Sequence, residues 1–148
     1  MFGLKMGELL IIALVLVSCV VPVLFLLTWA RTLRLTRRYQ PTAPGLVWLM
    51  LVPVLNLGWQ FYLLRSTTQG IKGRLAELGR DARDGGFRLG VTYQSLTCLA
   101  ALLTPAAKDG SNLSTLVDVL CLGALVTWIA YWTRIARFNR QMQSPTPW

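Results

Sequence analysis

The sequence predicts an all-α protein, an integral membrane helix bundle. Two observations predict it. Four long apolar runs lie at about residues 9–29, 45–64, 89–105 and 113–132, and the 15 Lys and Arg crowd the segments between and after them. Each run is close to the roughly 20 residues that a helix needs to cross a bilayer. Apolar residues make up 54% of the chain and the mean hydropathy is +0.51. With 148 residues there is room for one domain, and four spans leave no loop long enough for a water-soluble core. Residues 1–142 are read as a single bundle and 143–148, which hold two prolines, as a flexible tail.

The first run is 21 residues long, about 31 Å of helix. Lys5 and the run after it have the outline of a signal peptide, and Leu16-Val17-Ser18-Cys19 that of a bacterial lipoprotein box. Glu8 just before the run, and apolar sequence continuing past Cys19 to Leu27, favour an uncleaved span. Pro22 is a candidate kink and Trp29 a candidate interfacial anchor. Arg31, Arg34, Arg37 and Arg38 then suit a helix leaving the membrane, and Pro41, Pro44 and Gly45 stop it.

The second run has Trp48 near one end and Trp59, Phe61 and Tyr62 near the other, an aromatic belt at both interfaces. Its middle holds Pro53, Asn56 and Gln60, and amides in lipid need partners. Residues 65–88 carry six Lys and Arg against three acids. Ile71, Leu75, Leu78 and Ala82 recur there at helical spacing, with Lys72, Arg74, Arg80 and Arg83 largely off that stripe. This predicts an amphipathic helix on the membrane surface, ended by Gly85-Gly86. The third run is polar in its first half, from Thr92 through Gln94 to Thr97, so it spans only when packed against other helices. Ser111-Asn112-Leu113-Ser114 caps the fourth run. That run ends in a belt of Trp128, Tyr131 and Trp132 and continues through Arg134, Arg137 and Arg140.

Charge counting tests the threading. With four crossings, one side holds ten Lys and Arg and the other five, which places both termini in the cytoplasm by the excess of positive charge there. If the second run is instead a re-entrant hairpin turning at Pro53–Asn56, the split becomes 13 against two with the N-terminus outside. Twenty largely apolar residues with a belt at each end favour the full crossing, and four spans are the expectation. The alternative is three spans plus a re-entrant hairpin at 45–64.

A net charge of +9 would suggest nucleic acid in a soluble protein. Between apolar spans it points to the bilayer and its anionic lipids, with no nucleic acid. The absence of His removes His-based acid–base chemistry, haem ligation by His and His-containing zinc sites. Cys19, Cys98 and Cys121 each lie inside an apolar run and form no Cys-x-x-Cys pair, so they read as small buried hydrophobes. Asp118 is the one acid inside a span, either an ion site or a carboxylate favoured by the helix N-terminus. Ser18, Asn56, Gln60, Gln94 and Thr127 either line a pathway or hold helices together through hydrogen bonds. No phosphate loop, carboxylate pair or nucleophile–base set occurs, so no enzyme and no cofactor is expected.

The stretch 48–64, with Pro53, Asn56 and Trp59, resembles a Pro-x-x-Asn-x-x-Trp pattern of small, uncharacterised bacterial multi-span membrane proteins. The ending Tyr131-Trp132-Thr133-Arg134 through Asn139-Arg140 looks like their closing helix. The resemblance implies a bacterial source, and hence an inner membrane, and a four-helix layout. It supplies no activity.

The expected function is a structural or accessory subunit that packs against itself or a larger membrane complex. Asn56, Gln60, Gln94 and Asp118 form its polar packing or pathway set. Arg31, Arg34, Arg37, Arg38, Lys72, Arg74, Arg134, Arg137 and Arg140 would meet lipid head groups or a partner, and Trp29, Trp48, Trp59, Trp128 and Trp132 would anchor the interfaces. The alternatives are a small channel, transporter or pore-forming effector, and an anionic-lipid-binding membrane protein.

Overall fold

The computed structural model describes residues 6–107 and 110–143, leaving aside the side chains of residue 18 and residues 53–57. The proposed flexible tail therefore lies almost wholly outside the described residues. Four α-helices run in chain order: α1 (Met6–Leu35), α2 (Pro53–Glu77), α3 (Phe87–Leu103) and α4 (Asn112–Gln143). A 3-10 segment, Pro44–Leu51, precedes α2, and a short one, Thr104–Ala106, follows α3. No strand occurs among the described residues, so the all-α class holds. Two helices, α1 and α4, are long and apolar enough to cross a membrane.

α1 carries Glu8 in its first turn and Arg34 in its last, the polarity that complements the helix dipole. Its last carbonyls would be orphaned where the chain leaves the helix. Gln40 meets one of them, its Nε2 donating to Leu33 O at 3.1 Å. The same amide donates to Thr42 O and accepts from Thr42 N and from Ser66 Oγ of α2 at 2.7 Å. Thr42 and Ser66 hydroxyls then meet at 2.6 Å.

The second apolar run is not one helix. The chain extends at Val52, and Pro53 opens α2 at a position where a missing N–H costs nothing. The 3-10 segment and α2 form an antiparallel hairpin: Trp59 Nε1 donates to Leu46 O at 2.9 Å, while Thr42 lies beside Ser66. Prolines at 44 and 53 and the extended residue before the second of them account for the break.

Residues 65–88 likewise do not form a separate surface helix. Residues 65–77 continue α2, and the stripe Ile71, Leu75 and Ala82 is buried in the bundle with Leu78 packed against it. The predicted periodicity is present, but its apolar face meets protein. α2 ends in a Schellman turn, Arg80 N to Leu75 O at 2.8 Å and Gly79 N to Ala76 O at 3.0 Å, with Gly79 at φ +66°. Asp84 then caps α3 by accepting from Gly86 N and Arg88 N. Ser111 caps α4 as expected, accepting from Ser114 N at 3.1 Å.

The ends of α1, α2 and α4 and the start of α3 meet at one end of the molecule. Arg31 bonds Gln143, Arg38 pairs with Glu77, Arg80 reaches Gln141 O and Arg134 pairs with Asp84. This basic end holds the core: Phe25, Trp29, Leu33, Leu63, Leu64, Ile71, Tyr131, Ile135 and Phe138. Phe25 sits edge-on to Trp29 and Trp128, each with ring centroids 5.3 Å away, a favoured aromatic geometry.

Close approach of α1 and α2 depends on Gly70. A Cβ there would stand 2.5 Å from Thr36 Oγ1 and 2.7 Å from Thr36 Cβ, next to a rigid backbone. Gly70→Ala is expected to destabilise the protein by about 1–3 kcal/mol, the usual cost of overpacking. Gly45→Ala, where a Cβ meets nothing within 4 Å, serves as the control. Thermal unfolding of the purified chain reads the difference, and equal midpoints for the two variants would refute the close packing.

Candidate functional site

The bundle is tight at its basic end and open at the other. From Phe25 onward α1 turns one face into the core, whereas every residue from 6 to 20 whose side chain is described is exposed. Below this exposed arm, between residues 22–26 of α1 and the α3–α4 pair, lies a cleft of about 560 Å³. Pro22, Phe25 and Leu26 form one wall, Ala100, Ala101, Cys121, Ala124 and Leu125 the other. Met50 and Leu51, at the end of the 3-10 segment, close one side, and Trp128 belongs to the lining.

A few polar groups interrupt this apolar surface. Gln60, 5% exposed, contributes from α2. Tyr93 and Thr97 contribute from α3, and Thr104 from the 3-10 segment that follows it. The two threonine hydroxyls bond back to Tyr93 O and Ala100 O on their own helix, so they present satisfied oxygens rather than free donors. Such a surface can hold an apolar chain or helix and orient it through a small number of hydrogen bonds.

The polar set expected from the sequence is only partly gathered here. Gln60 lines the cleft. Gln94, 2% exposed, donates to Cys98 Sγ at 3.5 Å, and its Oε1 has no hydrogen-bond partner among the described residues. Asp118 is exposed on α4 and is not part of the cleft lining. Thr127 bonds back to Gly123 O. The side chains of Asn56 and Ser18 lie outside the described residues.

The tryptophans divide. Trp48 is exposed, and Trp59 packs on Tyr62 with ring centroids 4.9 Å apart. Trp29 is not at an interface: it is 2% exposed and its Nε1 donates to Thr67 Oγ1 at 2.5 Å. Trp128 and Trp132 are half-buried against Phe25, and Trp132 Nε1 donates to Thr28 Oγ1. Of the basic residues singled out from sequence, Arg31, Arg38, Arg74 and Arg134 have partners within the chain. Arg34, Arg37, Lys72, Arg137 and Arg140 are exposed.

Two acids that the sequence did not single out organise the basic end. Glu77 accepts from the Tyr39 hydroxyl and pairs with Arg74 at 2.5 Å and Arg38 at 3.5 Å. These contacts, Tyr39 first, hold its carboxyl below its ordinary pKa. At Asp84 partial burial works toward a higher pKa, but the Gly86 N–H, the Arg134 guanidinium and the Arg88 N–H outweigh it and hold the carboxyl below its ordinary value. The signal for Asp84 was in the sequence, as an Asp three residues ahead of an apolar helix start. Among the described residues no group of three His, Cys, Asp or Glu side chains is placed to hold a metal ion.

Comparison with protein-family models, curated proteins and solved structures returns no match. The function therefore has to be argued from geometry.

Because the folded-state pKa of Asp84 is depressed, its stabilising contribution is fully present above the unfolded carboxylate value of about 4 and is lost as pH falls through the lower folded value. Asp84→Asn is expected to lower stability by about 1 kcal/mol at neutral pH. It should also flatten the decline in melting temperature between neutral and acid pH. A pH series of melting curves checks this, and an unchanged acid slope in the variant would remove Asp84 from the account.

Proposed function

We propose that this chain is a multi-pass integral membrane protein of accessory type, without catalytic activity, whose open cleft receives a membrane-spanning helix of another chain. The observation that carries the reading is the cleft itself. It sits between two apolar helices at membrane length, yet its walls present Gln60 and Tyr93. The small residues Ala100, Ala101 and Ala124 in the same wall let a partner helix approach closely, and helices in lipid associate through such close packing and interhelical hydrogen bonds. The exposed apolar side chains of α1, from Leu9 to Val20, supply a second surface for the same partner. A channel is the weaker reading, because Asp118 is exposed and outside the cleft lining.

In this reading α1, α3 and α4 cross the bilayer and the second run re-enters it. The 3-10 segment has eight residues, about 16 Å at 2 Å per residue, roughly half of a 30 Å hydrocarbon core. A hairpin of that reach returns to the side it left. The chain is then threaded as three spans plus a re-entrant hairpin, with 13 Lys and Arg on the cytoplasmic side against two and the N-terminus on the opposite side. A bacterial inner membrane is part of the proposal and rests on the sequence resemblance alone.

Photo-crosslinking residues placed at Ala101 and Leu125, inside the cleft, are expected to capture one defined polypeptide in native membranes. The same residues at Leu116 and Val119, on the exposed face of α4, are expected to capture lipid. Ala101→Trp, which fills the cleft, should abolish the capture from position 125. Uniform labelling from all positions, with no defined partner, would reject the accessory role.

A further inference from the structure

The basic end holds a second cleft, between the 79–86 turn and the outer face of α4. Its volume is about 530 Å³, and Arg83, Arg134 and Arg137 line it together with Leu89 and Phe138. A smaller hollow beside it shares Arg83 and Arg134 and adds Arg88. Arg83 and Arg134 thus line both hollows, with Arg137 in the larger and Arg88 in the smaller. The two acids present are turned to other work. Asp81 accepts from Arg83 N at 2.7 Å, and Asp84 is engaged by Gly86 N, Arg88 N and Arg134. Among the described residues Arg83, Arg88 and Arg137 have no carboxylate partner.

The turn is built to present this charge. Arg83 stands at φ +49°, a left-handed conformation that a long side chain seldom adopts. Asp84 fixes Arg134 at 2.7 Å, and the guanidinium lies 5.9 Å from the Phe138 ring centroid. A pre-positioned fork of this kind suits the bidentate recognition of a phosphate. Below the arginines the wall changes character. Leu122, Val126 and Ile129 are exposed on α4 at spacings of four and three residues, so they continue the face that carries Thr133 and Arg137 away from the basic end. A free anion needs only the arginines. A charged cleft continuous with an apolar stripe fits a molecule with a phosphate at one end and hydrocarbon at the other.

We propose that this cleft binds an anionic phospholipid, its phosphate held by Arg83, Arg134 and Arg137 and its acyl chains lying along Leu122, Val126 and Ile129. The proposal rests on the membrane reading above. Basic pockets at the cytoplasmic ends of membrane helices are suited to such head groups.

The test uses the full chain in membranes of equal phosphatidylglycerol and phosphatidylcholine, extracted in mild detergent and weighed by native mass spectrometry. The natural sequence should retain phosphatidylglycerol in preference. Removing two charge-assisted contacts in Arg83→Gln/Arg137→Gln should cut that preference about tenfold or more. Arg34→Gln/Arg37→Gln, equal in charge lost and at the same end, should keep it. Equal losses in the two double variants would reduce the effect to diffuse attraction and overturn the site, as would an intact preference in the cleft variant. Photoactivatable phosphatidylglycerol should label peptides 81–89 and 130–141 of the unmutated protein, and labelling elsewhere only would overturn it without reliance on variants. Millimolar inorganic phosphate that strips the lipid completely would make this a free-anion site and overturn the lipid assignment. Alkaline carbonate washing separates the two proposals. Release of the chain overturns both, whereas retention with no lipid preference overturns the lipid site alone.

Discussion

The Gln40 side chain makes four hydrogen bonds inside the protein, and the path of the chain depends on them. Its amide has two donors and two principal acceptor positions, and all are used: Leu33 O and Thr42 O accept, Thr42 N and Ser66 Oγ donate. One buried group therefore closes the end of α1, sets the start of the returning segment and ties both to α2. A buried amide left without these partners would cost about 1–3 kcal/mol per orphaned group, so no neighbouring arrangement of this turn is equally good. With α1 and α2 joined here, Thr36 faces Gly70 and Trp29 reaches Thr67. The seam between the helices is polar and small-sided rather than greasy. That is the chemistry which distinguishes a protein neighbour from a lipid tail.

The same constraint explains why one half of the bundle is tight and the other open. Thr28, Gln40, Ser66 and Thr67 all fall in the basic half, where hydrogen bonds between the helices and aromatic edges specify the packing. Residues 6–17 of α1 carry no polar side chain apart from Glu8. That stretch is apolar on every side, and its described side chains are exposed. The cleft opens where the polar seam stops, at Pro22 and Phe25.

Helix class, the approximate bounds of α1, α3 and α4, and the Ser111 cap were legible because they follow from local periodicity and capping chemistry. The hairpin was visible only as an alternative. Apolar length and the aromatic belts suited one continuous helix, while Pro53 and Asn56 marked a turn, and the helix breaks there because Pro53 removes a helical bond and holds Val52 extended. The surface-helix reading of 65–88 failed for a different reason: a stripe such as Ile71, Leu75, Leu78 states that a face is covered, not what covers it. Trp29 was misplaced by the same ambiguity, since a tryptophan beside an arginine run suits an interface as well as a core with a hydroxyl in reach. The basic cleft was not legible at all. Arg83 and Arg134 lie 51 positions apart in the sequence, and the Asp84–Arg134 pair, the Arg80 bond to Gln141 O and Tyr131 packed on Gly86 bring them together.

The two clefts divide the molecule's resources by chemistry. Charge is concentrated where the backbone is most tightly held, so that Asp84 and the Schellman turn keep the arginines oriented at little further entropic cost on binding. Apolar surface is left free where the chain has no internal polar contacts to lose. A partner helix seated in the open half would press on Phe25 and Trp128, and Phe25 also meets Trp29 and Tyr131 in the core. Tyr131 in turn packs under Gly86 and Gly90, at the very turn that presents the arginines. Occupation of the apolar cleft and occupation of the basic cleft therefore act on one continuous aromatic core. If both clefts are filled as proposed, any coupling between them runs through this aromatic core, and by linkage it acts equally in both directions.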